Sequence, residues 1–541
     1  MTSETCPTGV PTGWKRTALR TTLALAAVLL ASAYLVALRA PAVGTFHDDG
    51  IYAVTARALA EGRGYRIISL PDAPPQTKYP ILFPWLLSLV WRVAPPFPEN
   101  LPWLRAVPLV STAAWLWLSW KLVQRCGGSQ GTATAIVVLT ALSPWTLFLG
   151  TALLAETLFA ALLTGSLLVL TASTASAAGS RRLCALAGLL SGASLLTRAA
   201  GVAVVVAGLA WLLSRRRWSN AVAFAIAAGA VLAPWGLWVV TQNHAVGAEY
   251  YSASNYGSWN IVFNYSGAEK LNVLIGNVFF SAATPAELWG IRLHAIVVGV
   301  SLFTVVPVVL RGLWLSRADP LGWCVTAVMA MNLIWVWPPT RFLVPIVPLV
   351  LWQASVVLRG APRVIVAGCV TSLCVFGAWR TLEVVAKAQS VGAVWPRANG
   401  AEDWRQLSPL LEWVKRETPS SAVLTGNLDP AYFLFTERLS VRAFTEDPYR
   451  LFYAAPDGAR RPLGTLEDFR RRLLQARVDY CIWSPAPGFG EAPHFRRLLD
   501  GLAEAYPGSL SVVAGEELSG YVVYRIDRAR IALPLSPPGG P

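Results

Sequence analysis

Charged side chains are scarce in this sequence of 541 residues. Lys, Arg, Asp and Glu make up 14% of the chain, whereas soluble domains carry roughly 25%. Hydrophobic residues make up 55%, and there are 24 Trp. This balance excludes an ordinary soluble protein and indicates an integral membrane protein.

Cysteine and histidine are scarce as well. The seven Cys are scattered singly, no C-x-x-C pair occurs, and Cys481 is alone after residue 385. No disulfide can therefore form within that last part of the chain. The four His are also far apart, at His47, His244, His294 and His494. A zinc or iron site built from His and Cys is not expected.

Long apolar runs are abundant, and about 20 such residues suffice to cross a bilayer. About eleven runs are predicted to be membrane spans: 18–39, 81–95, 103–123, 131–149, 151–172, 183–213, 219–241, 292–311, 321–338, 342–358 and 364–385. The run 183–213 fits either one long helix or two. The first run shows no convincing cleavage site and is interpreted as an anchor.

Basic residues are concentrated between the apolar runs. Residues 1–385 hold 26 Lys and Arg against 12 Asp and Glu, whereas residues 386–541 hold 19 against 18. Clusters such as "WKRTALR" and "SRRRW" fit the positive-inside rule and not a nucleic-acid surface. The pattern places the N-terminus in the cytoplasm, and it places loops 40–80 and 243–290 and the C-terminal part outside.

The chain after residue 385 changes character. Helix-like segments at 404–417, 464–476 and 491–505 alternate with the β-rich runs "SAVLTG", "VDYCIWS", "SLSVVAG" and "YVVYRI". We therefore predict a membrane domain over 1–385, a small extracytoplasmic α/β domain over 386–530 and a disordered tail over 531–541.

Two adjacent carboxylates, Asp48 and Asp49, follow the first apolar run in "FHDDGIYAVTARALA". One interpretation is helix capping. The other is a pair that shares a site, in which repulsion raises the pKa of one carboxyl and suits it to general base work. Lys78, in the same loop, is either an interfacial anchor or a cation for a phosphate ester.

Two ionisable residues lie near apolar stretches, Glu156 in "TALLAETLFAALL" and Arg198 in "SLLTRAAG". Such groups in a membrane indicate function by default. Glu156 also fits a helix start at the interface, and Arg198 also fits a side chain that snorkels to the headgroups. The aromatic loop "NHAVGAEYYSASNYGSWNIVFNYSG" suits either a stacked sugar or an interfacial belt.

Taken together, these motifs resemble those of the GT-C glycosyltransferases, in the protein mannosyltransferase and aminoarabinose transferase branch. Asp48 to Tyr52 resembles the D-[DE]-x-x-Y motif, and "KYPILFPWL" is similar to K-x-P-P-x-x-x-x-L, with Ile81 where a second Pro usually stands. "LLAETLF", "LLTRAAG" and "RFLVPIVPLVL" from Arg341 resemble later motifs. "LLEWVKRETPSSAVLTGNLDPAYFLFTERLSV" resembles the soluble domain of bacterial members, so the similarity reaches about residue 445.

The resemblance implies inverting transfer of a sugar from a polyprenyl-phosphate donor to a lipid, glycan or protein acceptor outside a bacterial inner membrane. It implies that Asp48 is the general base, that Asp49 is a secondary acid and that Lys78 holds the departing phosphate. The implied substrate-binding residues are Lys78, Tyr52, Tyr79, Glu156, Arg198 and Arg341. It implies membrane lipid as a partner and no cofactor, although two Asp could hold a divalent cation.

Two other classes of protein stay open. A transporter would be expected to show an internal repeat, which the sequence lacks. A non-catalytic scaffold of the cell envelope would keep the helices without needing Asp48 or Lys78. The enzyme hypothesis expects Asp48, Lys78 and Arg341 to meet around one outward cavity, with the C-terminal domain shaping the acceptor entrance.

Overall fold

The computed structural model describes residues 28–174, 180–242, 265–291, 295–396, 403–443, 448–453, 465–484, 492–515 and 518–533. The helices before residue 397 are α1 (Val28–Ala37), α2 (Asp48–Ala60), α3 (Leu82–Val93), α4 (Leu101–Arg125), α5 (Gln130–Ala141), α6 (Pro144–Thr151), α7 (Glu156–Ser173), α8 (Ser180–Thr197), α9 (Val202–Ser214), α10 (Trp218–Gln242), α11 (Gly267–Glu287), α12 (Ala295–Leu315), α13 (Pro320–Leu333), α14 (Thr340–Gly360) and α15 (Arg363–Val391).

Six of the described helices are long and apolar enough to cross a membrane, namely α4, α7, α10, α12, α14 and α15. A seventh span results if α5 and α6, which meet at a bend of 69°, are taken together. Four shorter helices, α1, α3, α9 and α13, are also apolar. The chain is therefore a multi-pass membrane protein.

Each of the eleven predicted runs overlaps one of these helices or a helix pair, although residues 18–27 and 292–294 lie outside the described part. By length and composition, six of these runs, or seven with the bent pair, qualify as spans. The run 183–213 contains two helices. Arg198 has an extended backbone (φ −148°, ψ 140°) and is followed by a 3₁₀ turn at Ala199–Gly201. The backbone therefore breaks at the ionisable residue.

Helix α11 lies within the segment 243–290 that we expected to be a loop. Its start carries a capping box, because the Ser266 hydroxyl accepts from the Glu269 N–H and the Glu269 carboxylate accepts from the Ser266 N–H. Two turns of the helix present Leu271, Ile275 and Phe279 outward. The S-x-x-E signal and this spacing of apolar residues are both visible in the sequence.

The C-terminal α/β unit, residues 403–533, contains one sheet with strand order β2-β1-β3-β5-β4. The strands are β1 (Val423–Gly426), β2 (Leu439–Arg442), β3 (Tyr480–Trp483), β4 (Leu510–Ala514) and β5 (Val522–Ile526). Strands β2, β1 and β3 are parallel, whereas β5 pairs antiparallel with both β3 and β4. The sheet is thus mixed, and its parallel part is connected through helices.

The helices of this unit are α16 (Trp404–Glu417), α17 (Asp429–Thr436), α18 (Pro448–Phe452), α19 (Leu466–Gln475), α20 (Ala492–Ala505) and α21 (Arg528–Ala532). The three predicted helix segments correspond to α16, α19 and α20, and the four β-rich runs to β1, β3, β4 and β5. The short strand β2 and the helices α17, α18 and α21 were not predicted. Helix α21 includes the first two residues of the tail 531–541 that was expected to be disordered. Strand β2 and α17 lie in the stretch that packs against α2 and the loop after it.

Candidate active site

Asp48 is the first residue of α2, and its carboxylate lies between two hydrogen-bond donors. Its Oδ1 accepts a hydrogen bond of 2.5 Å from the Tyr79 hydroxyl. Its Oδ2 lies 2.9 Å from Nη1 of Arg341, at the start of α14. The Asp48 side chain keeps 21% of its surface exposed. The carboxylate is therefore both held in place and accessible.

Asp49 faces a different set of partners. Its Oδ2 accepts a hydrogen bond of 2.8 Å from the Gly44 N–H, and its Oδ1 accepts one of 3.2 Å from the Phe46 N–H. The residue is 6% exposed. Its carboxylate therefore fastens the preceding turn to α2 and has other hydrogen-bond partners than Asp48.

The pKa values of the two carboxyl groups are shifted in opposite directions. Burial would raise the pKa of Asp48, but the charges of Arg341 and Lys78 and the hydrogen bond from Tyr79 outweigh it and hold the pKa below its usual range. Burial dominates at Asp49 and raises its pKa to about 6 against the hydrogen bond from Gly44. The raised pKa belongs to the carboxyl that braces the backbone, not to the one with Arg341 beside it.

Glu156 holds two guanidinium groups from distant helices. Its Oε1 lies 2.7 Å from Nη1 of Arg198, at the break between α8 and α9, and it also accepts from Nε of Arg341. Glu156 is 1% exposed. It begins α7, so it does lie at a helix start, but inside the protein. Arg198 likewise points to this buried carboxylate.

Lys78 and two tyrosines complete the cluster. The Lys78 ammonium lies over the Tyr79 ring, 5.0 Å from the ring centre. The Tyr79 ring contacts the Tyr52 ring edge-on at a centroid distance of 5.0 Å. Tyr52 is 1% exposed and faces the helix packing around Phe83. Tyr52 therefore supports Tyr79 from behind, and Tyr79 in turn orients Asp48.

An irregular stretch between α13 and α14 places Arg341. The Asn277 amide, on α11, donates hydrogen bonds of 3.1, 3.1 and 2.6 Å to the carbonyls of Asn332, Leu333 and Trp335. Its amide oxygen accepts a bond of 2.8 Å from the Tyr453 hydroxyl. These bonds tie α11 to the end of α13 and to the residues that follow it. Arg341 therefore follows a segment that these hydrogen bonds hold in place.

The structure thus brings together seven of the eight sequence-predicted site residues in one connected cluster, with Asp49 directed away from it. Sequence reasoning missed Phe46, whose ring lies 4.6 Å beneath the Arg341 guanidinium. No signal in the motifs marked it. Residues 243–264, which make up most of the aromatic loop considered as a sugar site, lie outside the described residues. Among those described, no group of three or more His, Cys, Asp or Glu is placed to hold a metal ion.

Comparison with known proteins gives matches of structure but not of sequence, since no protein-family model and no curated protein matches the chain. ArnT from Cupriavidus metallidurans in the apo state gives a TM-score of 0.56 at 14% identity, covering 96% of this chain and 100% of that one. ArnT bound to undecaprenyl phosphate gives 0.54 at 15% identity, covering 95% and 98%.

A third similar structure is the oligosaccharyltransferase AglB from Archaeoglobus fulgidus in complex with an inhibitory peptide and a dolichol-phosphate. Its TM-score is 0.52 at 13% identity, covering 94% of this chain and 74% of that chain. All of these structures are GT-C glycosyltransferases. Likeness at this level of identity bears on the fold and not on the reaction. This chain has the GT-C fold that its sequence motifs predicted.

Proposed function

We propose that this protein is a membrane glycosyltransferase that transfers a sugar from a polyprenyl-phosphate carrier to an acceptor, with inversion at the anomeric carbon. One observation carries the proposal: Asp48 is held by Tyr79 and Arg341, with Lys78 close by, in a chain of GT-C fold. The similar structures of ArnT with undecaprenyl phosphate and of AglB with dolichol-phosphate support a lipid-linked donor.

In the proposed reaction the acceptor hydroxyl or amine attacks the anomeric carbon on the face opposite the phosphate. Its proton passes to Asp48, the bond from acceptor to carbon forms, and the bond from carbon to phosphate oxygen breaks. The electron pair of the broken bond leaves with the phosphate. Each carboxylate oxygen has two lone pairs, so Asp48 can receive an acceptor while Tyr79 and Arg341 stay bonded.

The lowered pKa of Asp48 is compatible with this role. It keeps the carboxylate ionised and ready to accept a proton at neutral pH. The proton on the attacking atom becomes strongly acidic as that atom bonds to carbon, so a weak base is sufficient late in the reaction. Positioned base catalysis of this kind contributes about 10²–10⁴-fold.

We assign the departing phosphate to Lys78 and Arg341. Both cations act on Asp48, so the site offers positive charge to a departing anion. The buried Nη2 of Arg341 has no hydrogen-bond partner among the described residues and is free for a phosphate oxygen. Glu156 and Arg198 are then positioning residues, because Glu156 accepts from Nε of Arg341 and Arg198 pairs with Glu156.

Asp49 is proposed to act on the base and not on the substrate. Its bonds to Gly44 and Phe46 close the turn that precedes Asp48. Asp49 is therefore proposed as a secondary acid that orients the base. We propose that the acceptor is an extracytoplasmic molecule, as the charge pattern of the sequence predicts.

The test is transfer of radiolabelled sugar from a panel of polyprenyl-phosphate sugars to membrane acceptors. Wild type is compared with Asp48→Asn, and Asp500→Asn is the control, because Asp500 is 60% exposed in a surface pair with Arg496. Label with wild type and with the control, but not with Asp48→Asn, supports the proposal. Equal transfer by all three removes Asp48 from the chemistry, and no transfer from any donor favours a transporter or scaffold.

A further inference from the structure

The C-terminal α/β unit contacts α2 directly, through α17 and the strand that follows it. Nη1 of Arg57, on α2, lies 2.7 Å from the Glu437 carboxylate. The Arg57 guanidinium also lies 5.6 Å from the Phe433 ring centre. The Ser440 N–H donates a hydrogen bond of 2.8 Å to the Ser69 carbonyl, in the loop after α2. The contact therefore extends along α2 and the loop after it.

Two glycines let the backbones approach closely at the Asp48 end of this contact. A Cβ on Gly44 would lie 2.7 Å from the Ala431 backbone nitrogen. A Cβ on Gly50 would overlap the Pro430 side chain and would lie 2.8 Å from the Gly44 Cα. Any larger residue at either position would push α17 away from α2. The fit depends on the absence of two side chains.

The residue before Asp48 has a strained backbone. His47 has φ 66° and ψ −63°, and the Asp48 N–H donates to the Phe46 carbonyl at 2.9 Å. This is a γ-turn of the rare, strained form. Non-glycine residues in such conformations persist where surrounding structure holds them, and they are concentrated at functional sites.

The C-terminal unit holds this turn from the other side. Nδ1 of His47 lies 3.7 Å from Oδ1 of Asp429, the first residue of α17. Asp429 is 1% exposed, and its Oδ1 lies 3.0 Å from Nε of Arg442 on β2. The charge that faces the turn is therefore fixed inside the C-terminal unit. Asp429 lies one position before Pro430, which packs on Gly50.

We propose that α17 is a positioning element of the active site: Asp429 and the Gly44 and Gly50 contacts hold the strained turn at His47, so that the Asp48 carboxylate faces Tyr79 and Arg341. The inference rests on the proposed function of Asp48. It gives the C-terminal unit a part in the chemical step, beyond shaping an entrance. A displacement of 1 Å at a reacting group can lower a rate by about 10²-fold.

The experiment compares full-length wild type with Asp429→Asn and Gly50→Ala, and Glu437→Gln is the matched control. Glu437 lies in the same contact but is 53% exposed and pairs with Arg57 away from the turn. We measure kcat, KM for the lipid donor and hydrogen exchange over residues 44–57. We expect kcat to fall by about ten- to a hundred-fold in Asp429→Asn and Gly50→Ala. The KM should change by less than about threefold, and the control should match wild type.

Hydrogen exchange separates the two proposals. We expect the Asp48 amide, which donates to the Phe46 carbonyl, to exchange faster in Asp429→Asn than in Glu437→Gln. Wild-type kcat in Asp429→Asn, or a rise in KM without loss of kcat, would overturn the positioning role. If wild type transfers no sugar, the proposed function fails, and unchanged exchange in Asp429→Asn would then overturn the coupling as well. If Gly50→Ala does not fold, Asp429→Asn decides.

Discussion

At the scale of single residues, Asp48 and Asp49 show how one step along the chain changes what a carboxylate does. Successive side chains of a helix point about 100° apart, so neighbours do not face each other. Asp48 therefore faces Tyr79 and Arg341, whereas Asp49 faces the turn before the helix. The sequence shows that two acids follow the first apolar run. It cannot show which way each carboxylate points, because that depends on where α2 begins and on the distant residue Arg341.

The raised pKa of Asp49 predicts a dependence of stability on pH. Its carboxyl has a pKa of about 6 in the folded protein against 3.8 unperturbed. The folded state thus holds a proton that the unfolded state releases between about pH 4 and 6. Stability should therefore fall as pH rises through that window, by about 1.4 kcal/mol per unit of pKa difference.

The measurement is the thermal midpoint in detergent between pH 4 and 7. In Asp49→Asn no carboxyl titrates at this position, so the loss of stability over that window should be smaller than in wild type. Asp500→Asn serves as the control and should follow wild type. Identical pH profiles of Asp49→Asn and wild type would show that Asp49 is ionised in the folded protein at its ordinary pKa.

At the scale of helices and strands, two residues of the site lie where helices are interrupted. Arg198 and Arg341 lie at helix breaks, at the end of α8 and just after the irregular residues before α14. The apolar runs predicted the helices because a bilayer demands long stretches without charge. They did not predict α11, whose signals are a capping box and a stripe of apolar residues. The short β2 gives too few residues for a pattern of alternation.

The break at Arg198 depends on Gly201. A Cβ there would overlap the backbone of Leu195, which cannot move as a flexible side chain can. We expect Gly201→Ala to destabilise the protein by about 1–3 kcal/mol and to lower transfer, because Arg198 would shift away from Glu156. The measurements are the thermal midpoint and the transfer rate.

Gly229 provides the matched control for that change. It lies inside α10, and a Cβ there would meet nothing within 4 Å. Gly229→Ala should be neutral or stabilise by about 0.5–1 kcal/mol, since alanine favours a helix. If Gly201→Ala behaves like Gly229→Ala, the close packing at the break is not what places Arg198.

At the scale of the whole molecule, contacts between distant parts of the chain form the site. Asp48 meets Arg341, Arg341 meets Glu156, and the turn at His47 meets Asp429. Motif resemblance named Asp48, Glu156 and Arg341 as parts of one site, but it did not predict which of them pair. The contact with Asp429 could not be predicted from the residues, since neither His47 nor Asp429 has a pattern that identifies a partner.

Whether Asp48 is the base is decided by kcat of purified Asp48→Asn beside Asp49→Asn, with the donor that the panel identifies. Removal of the base should lower kcat by about 10²–10⁴-fold in Asp48→Asn. Asp49→Asn should lower kcat by no more than the roughly ten- to hundred-fold expected of Asp429→Asn, because its carboxyl acts only through the turn. Wild-type turnover by Asp48→Asn, or a loss confined to Asp49→Asn, would contradict the account.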